Sequence, residues 1–475
     1  MEDSKVAVGV VAGELETLAN ATKNQNVHWN RRSIYKVPAS LSAMNRPAYS
    51  PQTVSLGPYH CTREDLKPME EHKQRALRYF LKRTKKPLPL FVEALSPEVQ
   101  ILRDSYDQLD KSWQGDDKSF LKLMILDGCF LLEIMNLDNI STDFSNYDKD
   151  DPVFSSHGKL YVVPHIQRDM LMIENQLPML VLYKLVAPLH DGIEDHDYVN
   201  NLVLGFFRRI NKPESQGGKF LHVLDLYRKS LLMPPAKPQQ PSRRRPPKRR
   251  TDDNNWIIRS ATELDEAGVT LKKSESTSLE DIRFRRGVLR LPAMVVDDAT
   301  EAMFLNLIAL ERLHVGTGNQ VTSYVCFMDS IIDTERDVAL LHSKGIVRNA
   351  LGSDKAVAKM FNSLSKDLTP DLDSSLGVIR KDVSAYCKKK WNEWRANLIH
   401  TYFRSPWALL TVIAASILFA LTVAQTVYTI YPYYNTNDSP PPPSAPPPTV
   451  SVAPPPAPAP APAFPPPKRS RRPFH

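Results

Sequence analysis

The sequence predicts a mainly α fold: a helical body with a minor β-hairpin element, one C-terminal transmembrane helix and a disordered proline-rich tail. Three observations carry this. Apolar residues make up 42% of the 475 and recur at helical spacing through most of the chain. From Ser405 to Asn437 no residue is charged. Of the 40 prolines, 17 fall between Pro440 and Pro473, a composition that sets the tail apart from a packed domain. Such a chain can bury a core, which excludes collagen, a wholly disordered protein and a small disulfide scaffold.

The elements follow in order. Residues 1–32 lack strong periodicity and read as an N-terminal extension. The body runs over 33–404. Its first stretch, Ser33 to His60, carries Pro38, Pro47, Pro51, Gly57 and Pro58 and reads as extended, irregular chain. Met69 to Lys82 places Leu77, Phe80 and Leu81 on one helical face, with Lys73, Arg75, Arg78 and Lys82 mostly elsewhere. Ser96-Pro97 suits an N-cap and first helical residue, and Val99, Leu102, Tyr106 and Leu109 follow at helical spacing. Asp104, Asp107 and Asp110 then read as a solvated helix face.

Ser119 to Met135 is apolar nearly all round, interrupted by Lys122, Asp127 and Glu133, and predicts a central buried helix. Arg168 to Ala187 is similar, divided by Pro178 into two helices. Helical patterns continue over Asp197 to Ile210 and Lys219 to Leu232. Residues 234–255, rich in Pro, Arg and Gln, read as a disordered basic insert on the surface. After it, Ser260 to Glu263 matches a capping box, with Gly268 closing a short helix. Partial alternation over Val269 to Lys273 and Ile282 to Val296, with a turn at Arg286-Gly287, predicts the hairpin. Asp298 to Glu301 caps a helix through His314; further helices cover Val321 to Leu341, Ser353 to Leu364 and Leu372 to Phe403.

The transmembrane segment spans 405–431, with Trp407 to Ile430 at its centre. As a helix, that centre is about 36 Å long against a hydrocarbon core of about 30 Å. Trp407 at one end and Tyr428, Tyr431, Tyr433 and Tyr434 at the other suit the headgroup level. Lys388, Lys389, Lys390, Arg395 and Arg404 outweigh Glu393 on the N-terminal flank, which predicts a cytosolic body. The expected location is a membrane crossed once, with lipid as the helix's partner. Residues 432–475 form the tail, whose polyproline II bias makes it a spacer or a ligand for a proline-binding domain.

Net charge is +8, but Lys237 to Arg250 holds seven basic residues and Lys468 to Arg472 four more. Setting those eleven aside leaves about −3, so the body lacks the broad basic surface that nucleic acid requires. The basic patch Arg243, Arg244, Arg245, Lys248, Arg249 and Arg250 keeps a nucleic-acid-associated role as one alternative; contact with anionic lipid or a merely solvated loop are the others. Cys61, Cys129, Cys326 and Cys387 are widely spaced and form no CxxC pair. No phosphate-binding, zinc-protease or nucleophile-elbow motif occurs, so no cofactor and no metal are expected.

The acidic candidates are Asp127 and Glu133 in one apolar run and Asp169 and Glu174 in another. Buried carboxylates are costly unless paired. One reading is a carboxylate cluster for acid–base or metal chemistry, as in a hydrolase. The other, which the sequence favours, is structural: caps, hydrogen bonds and ion pairs that hold the central helices.

Seven ordered blocks carry a family resemblance: Ser33–Leu41, Ser55–Cys61, Met69–Leu81, Leu121–Met135, Asp169–Leu182, Ala261–Val269 and Leu289–Glu311. They resemble the plant "domain of unknown function 247" family, from about Ser33 to the end of the Trp407 helix; the basic insert and the proline-rich tail depart from its pattern. The resemblance implies a plant protein with one C-terminal membrane helix. Some grass members resemble pollen self-incompatibility determinants paired with small secreted proteins, and most have no assigned activity. The expected function is therefore a non-catalytic recognition or signalling module that binds protein or peptide partners.

Overall fold

The computed structural model describes residues 32–43, 45–138, 147–208, 218–233, 258–369, 371, 374–389 and 406–434. Residues 1–31 of the N-terminal extension, the whole basic insert 234–255, the proline-rich tail from 435 onward, and residues 372–373 and 390–403 of the predicted Leu372 to Phe403 helix lie outside them. Contacts divide the chain into two units, 1–404 and 405–475.

The body begins with extended chain interrupted by a single turn of helix, α1 (Ala39–Ser42). Helix α2 (Pro68–Thr84) has proline in its first turn with Glu70 and Glu71, and Lys82 and Arg83 in its last, so its end charges oppose the macrodipole. Then come α3 (Leu88–Leu95), α4 (Val99–Asp104) and the central α5 (Asp117–Met135). Asp116 caps α5 by accepting the Ser119 N–H at 3.0 Å. From Leu123 onward nearly every residue of α5 is buried, as its all-round apolar pattern predicts. Gly128 is where its neighbour comes closest: an added Cβ would lie 2.5 Å from Leu185 and 2.9 Å from Val181.

Five helices follow, α6 (Ser156–Tyr161), α7 (Val163–Asp169), α8 (Met179–Val186), α9 (His196–Phe206) and α10 (Val223–Leu231); α8 and α9 pack against α5, as α2 does from earlier in the sequence. Pro178 precedes α8, as expected of a residue that cannot sit inside a helix. Beyond the insert, α11 (Ala261–Glu266) is capped by Ser260, whose Oγ faces the Glu263 N–H at 3.5 Å. Strands β1 (Thr270–Lys273), β2 (Arg283–Arg285) and β3 (Val288–Leu291) form a sheet of order β1-β3-β2. The β2–β3 pair is the predicted hairpin, turning at Arg286 (φ 50°) and Gly287 (φ 79°). A second, parallel pair joins β4 (Met294–Val296) to β5 (Val347–Asn349) around α12 (Thr300–Leu313), α13 (Gln320–Ile331) and α14 (Glu335–Ser343). Helices α15 (Asp354–Leu364) and α16 (Ser375–Cys387) follow.

Five local expectations are corrected. The single helix expected over Val321 to Leu341 is two, α13 and α14, and a capping box at Thr334 starts the second. The half of the Arg168 to Ala187 segment that precedes Pro178 is not a helix: α7 ends at Asp169, and turns and irregular chain lead from there to Pro178. Ser96 is no N-cap: its Oγ donates back to the Val92 carbonyl, and a 3-10 turn links α3 to α4. The helix that holds Val99 stops at Asp104, so Asp107 and Asp110 share no helical face with it; Asp107 pairs with Arg32 and Asp110 caps a 3-10 turn. Asp298 does not cap α12: the N-cap position is Ala299, and the turn that leads into it is held by Asp297, which accepts from the Ala299 N–H and the Thr300 hydroxyl while Thr300 Oγ1 accepts the Asp297 N–H.

The second unit contains α17 (Pro406–Tyr434). Its stretch Leu410–Tyr431 is 22 residues long with mean hydropathy 2.0, long and apolar enough to cross a membrane. Its side chains are exposed throughout that stretch, where a soluble core helix would bury them.

Candidate functional site

Proline at 51 and 58 and glycine at 57 keep the chain between them out of helix and sheet, yet Pro51 and Val54 to Pro58 are buried. Buried backbone donors require partners, and three side chains supply them. Asp169 Oδ2 accepts the N–H groups of Gln52, Thr53 and Val54 at 3.0, 2.6 and 3.1 Å. Asn175 Oδ1 accepts from Leu56 at 2.7 Å, and its Nδ2 donates to the carbonyls of Val54 and Asp169, both at 3.0 Å. Asp127 Oδ2 accepts the Gly57 N–H at 2.9 Å. Gly57 adopts φ +72°, and an added Cβ would lie 2.8 Å from both the Gln176 carbonyl and Tyr106 Oη. Gln176 locks the opposite wall: Nε2 donates to Met170 and Met172 carbonyls, and Oε1 accepts the Leu224 N–H.

The other oxygen of Asp127 meets Lys73 Nζ at 2.7 Å, and that ammonium also lies 2.6 Å from Glu70 and 3.3 Å from Ser55 Oγ. Lys73 and Asp127 are both fully buried, which corrects the placement of Lys73 away from the apolar face. Its charge sign hid it: on α2 it sits with Met69, Ala76 and Phe80 on the buried stripe. Burial alone would lower the Lys73 pKa, but Asp127 and Glu70 outweigh it and the ammonium is held above its usual range.

Glu133 stands apart. One oxygen accepts both Nε and Nη2 of Arg83, at 3.0 and 2.5 Å, and the other accepts the Tyr147 hydroxyl at 2.9 Å. Glu174 is only half-buried: Oε1 accepts the Val37 N–H at 2.6 Å, and Oε2 lies 3.2 Å from His60 Nε2. So Asp127, Asp169 and Glu174 all grip the extended chain between Val37 and Gly57, while Glu133 ties α5 to α2. Among the described residues no group of three His, Cys, Asp or Glu is placed to hold a metal ion. The basic patch Arg243 to Arg250 lies outside the described residues.

Sequence reasoning missed two features. His222 caps α10: Nδ1 accepts the Asp225 N–H at 3.2 Å, so Nε2 carries the proton that it donates to the Ser33 carbonyl at 3.0 Å. Burial drives its pKa down to about 4. The sequence signal was an acidic residue, Asp225, three positions into the helix. The other is a cleft of about 710 Å³ between α7, the end of α9, α10, β4 and the start of α12. Its lining residues come from six separate segments, and no local pattern announces that.

Comparison with known proteins places these features. The family described as "Plant protein of unknown function", DUF247, matches residues 34–421. The UPF0481 protein At3g47200 of Arabidopsis thaliana is 31% identical over 426 residues, covering 85% of this chain and 87% of the relative. The putative UPF0481 protein At3g02645 of the same plant is 23% identical over 486 residues, covering 83% and 89%. No solved structure matches significantly. The chain belongs to the DUF247 family of plant proteins of unknown function.

Proposed function

We propose that this protein is a non-catalytic recognition module, anchored by one membrane-spanning helix, whose body binds protein or peptide partners. One observation carries the reading: each of the four candidate carboxylates, Asp127, Glu133, Asp169 and Glu174, already serves donors of its own fold. A catalytic acid or base needs an exchangeable proton within reach of a substrate, and Asp127, Glu133 and Asp169 are buried to 0–1% exposure.

Anchoring rests on the exposed apolar surface of α17, which needs lipid or another apolar covering. Positive-inside logic puts the body in the cytosol and the tail across the membrane, where proline-binding domains are candidate partners. The plasma membrane is the assigned location by analogy with the family resemblance.

Proximity labelling from the body of the full chain in plant membranes tests this. The reading expects a specific, reproducible set of neighbouring proteins, and full chain that extracts only with detergent. Turnover of a substrate by purified full chain, lost in a folded Glu174→Gln variant, overturns the non-catalytic part. Release by alkaline carbonate overturns the anchor.

A further inference from the structure

The 710 Å³ cleft falls in the size range of small-molecule sites and has no role in the reading above. Its wall is apolar and aromatic: Phe206, Phe207, Tyr227, Leu231, Met303 and Phe304. Its apolar surface continues outward through Leu160 and Val295, which are 64% and 52% exposed. Its charged lining is one-sided. Lys159, Arg168 and Arg208 face it, against a single acid, Asp297. That acid is engaged, since Oδ1 accepts from the Ala299 N–H and the Thr300 hydroxyl; Arg168 is engaged too, its Nη2 donating to the Pro47 carbonyl at 2.8 Å and its Nη1 lying 3.4 Å from Asp169 Oδ1. Arg208 is itself held at φ 51°, a backbone conformation that residues other than glycine rarely adopt, just past the end of α9.

We propose that this cleft binds a single-chain anionic amphiphile, with its hydrocarbon along the aromatic wall and its head at the rim formed by Lys159 and Arg208. The inference is independent of the recognition reading. Apolar lining with a few convergent polar groups is the usual form of a small-ligand site, and the excess of cations selects an anionic head. Carboxylate and phosphate heads share that chemistry. A peptide fits less well. The strand at the wall, β4, is three residues long; Met294 N–H and the Val296 carbonyl already face β5. By alternation, β4 turns only the backbone groups of Val295 to its unpaired edge, too little for strand addition.

The test uses full chain in phosphatidylcholine nanodiscs and a photoreactive, diazirine-bearing palmitate. Cross-links are expected in peptides that contain Val163 to Leu171 and Met294 to Phe304. Oleate or lysophosphatidate should displace the probe, and whichever does so better identifies the head group. Methyl oleate at the same concentration should not. Lys159→Glu with Arg208→Glu should cut labelling about tenfold, the loss expected for charge-assisted contacts; Met303→Trp should block it by filling the cleft. Labelling spread evenly over the chain, equal displacement by methyl oleate, or displacement by an acidic peptide but by neither amphiphile would overturn the proposal. The methyl oleate arm needs no variant, so it decides even where a substitution unfolds the chain.

Discussion

Pro51 and Val54 to Pro58, like nearly all of helix α5 from Leu123 onward, are buried in one core, but the two segments meet the same demand in opposite ways. Helix α5 satisfies its backbone internally, so its side chains are free to be apolar. The extended segment cannot, and it takes its acceptors from Asp127, Asp169 and Asn175. A charged side chain inside a core is often a mark of chemistry. Here the geometry gives it a different origin, the cost of burying chain that has no hydrogen-bonding neighbour of its own.

Breaking the borrowed contacts should therefore hurt far more than trimming the helix. The largest effect is expected for Asp127→Ala, which strips Lys73 of its buried counter-charge and Gly57 of its acceptor; about 3–5 kcal/mol should be lost in denaturant unfolding of the full chain. Pairing it with Lys73→Met sharpens the point. The double variant should be less destabilised than the two single losses summed, by about 2 kcal/mol, because no orphaned charge remains. Strict additivity would mean that the pair is not coupled.

A comparable but pH-dependent loss is expected at His222. Its folded pKa, about 4, is lowered from the ordinary 6.5, so the unfolded chain binds the proton first as pH falls. The stability that it contributes is complete above about pH 6.5 and is lost as pH drops toward 4, by up to about 3 kcal/mol. His222→Gln should flatten the stability profile between those values. Burial also lowers the pKa of His314, so some slope of the same sign should remain. The smallest effect belongs to the helix itself. Ile134→Val, a fully buried trim on α5, should cost only about 1 kcal/mol by the same unfolding assay.

The same contrast explains what could be read from the sequence. Helix α5, the start of α8 after Pro178, the Arg286-Gly287 hairpin and the exposed apolar α17 were legible because each follows from local periodicity or a turn residue. The helix expected before Pro178 was not there, because the side chains of Asn175 and Gln176 take the carbonyls of Asp169, Met170 and Met172 that a helix would use. The carboxylates were legible as candidates, and their structural role was the favoured reading, but their partners were not. Lys73 reads as surface from its charge, and only the fold brings Asp127 to it. The parallel β4–β5 pair was missed because three-residue strands carry no alternation to speak of, and its partners are separated by three helices. The turn held by Asp297 was missed by one residue because Asp298 offers the same chemistry next door.

Hydrogen exchange of the backbone amides of Gln52, Thr53, Val54, Leu56 and Gly57, in full chain in nanodiscs, tests the borrowed-acceptor account most directly. Wild-type amides of this helix-free segment should be protected to nearly the same degree as those of α5. Asp169→Asn should release Gln52, Thr53 and Val54 while leaving α5 slow. Fast exchange at these amides in the unmodified protein, or unchanged protection in the variant, would contradict it and return the buried carboxylates to the search for chemistry.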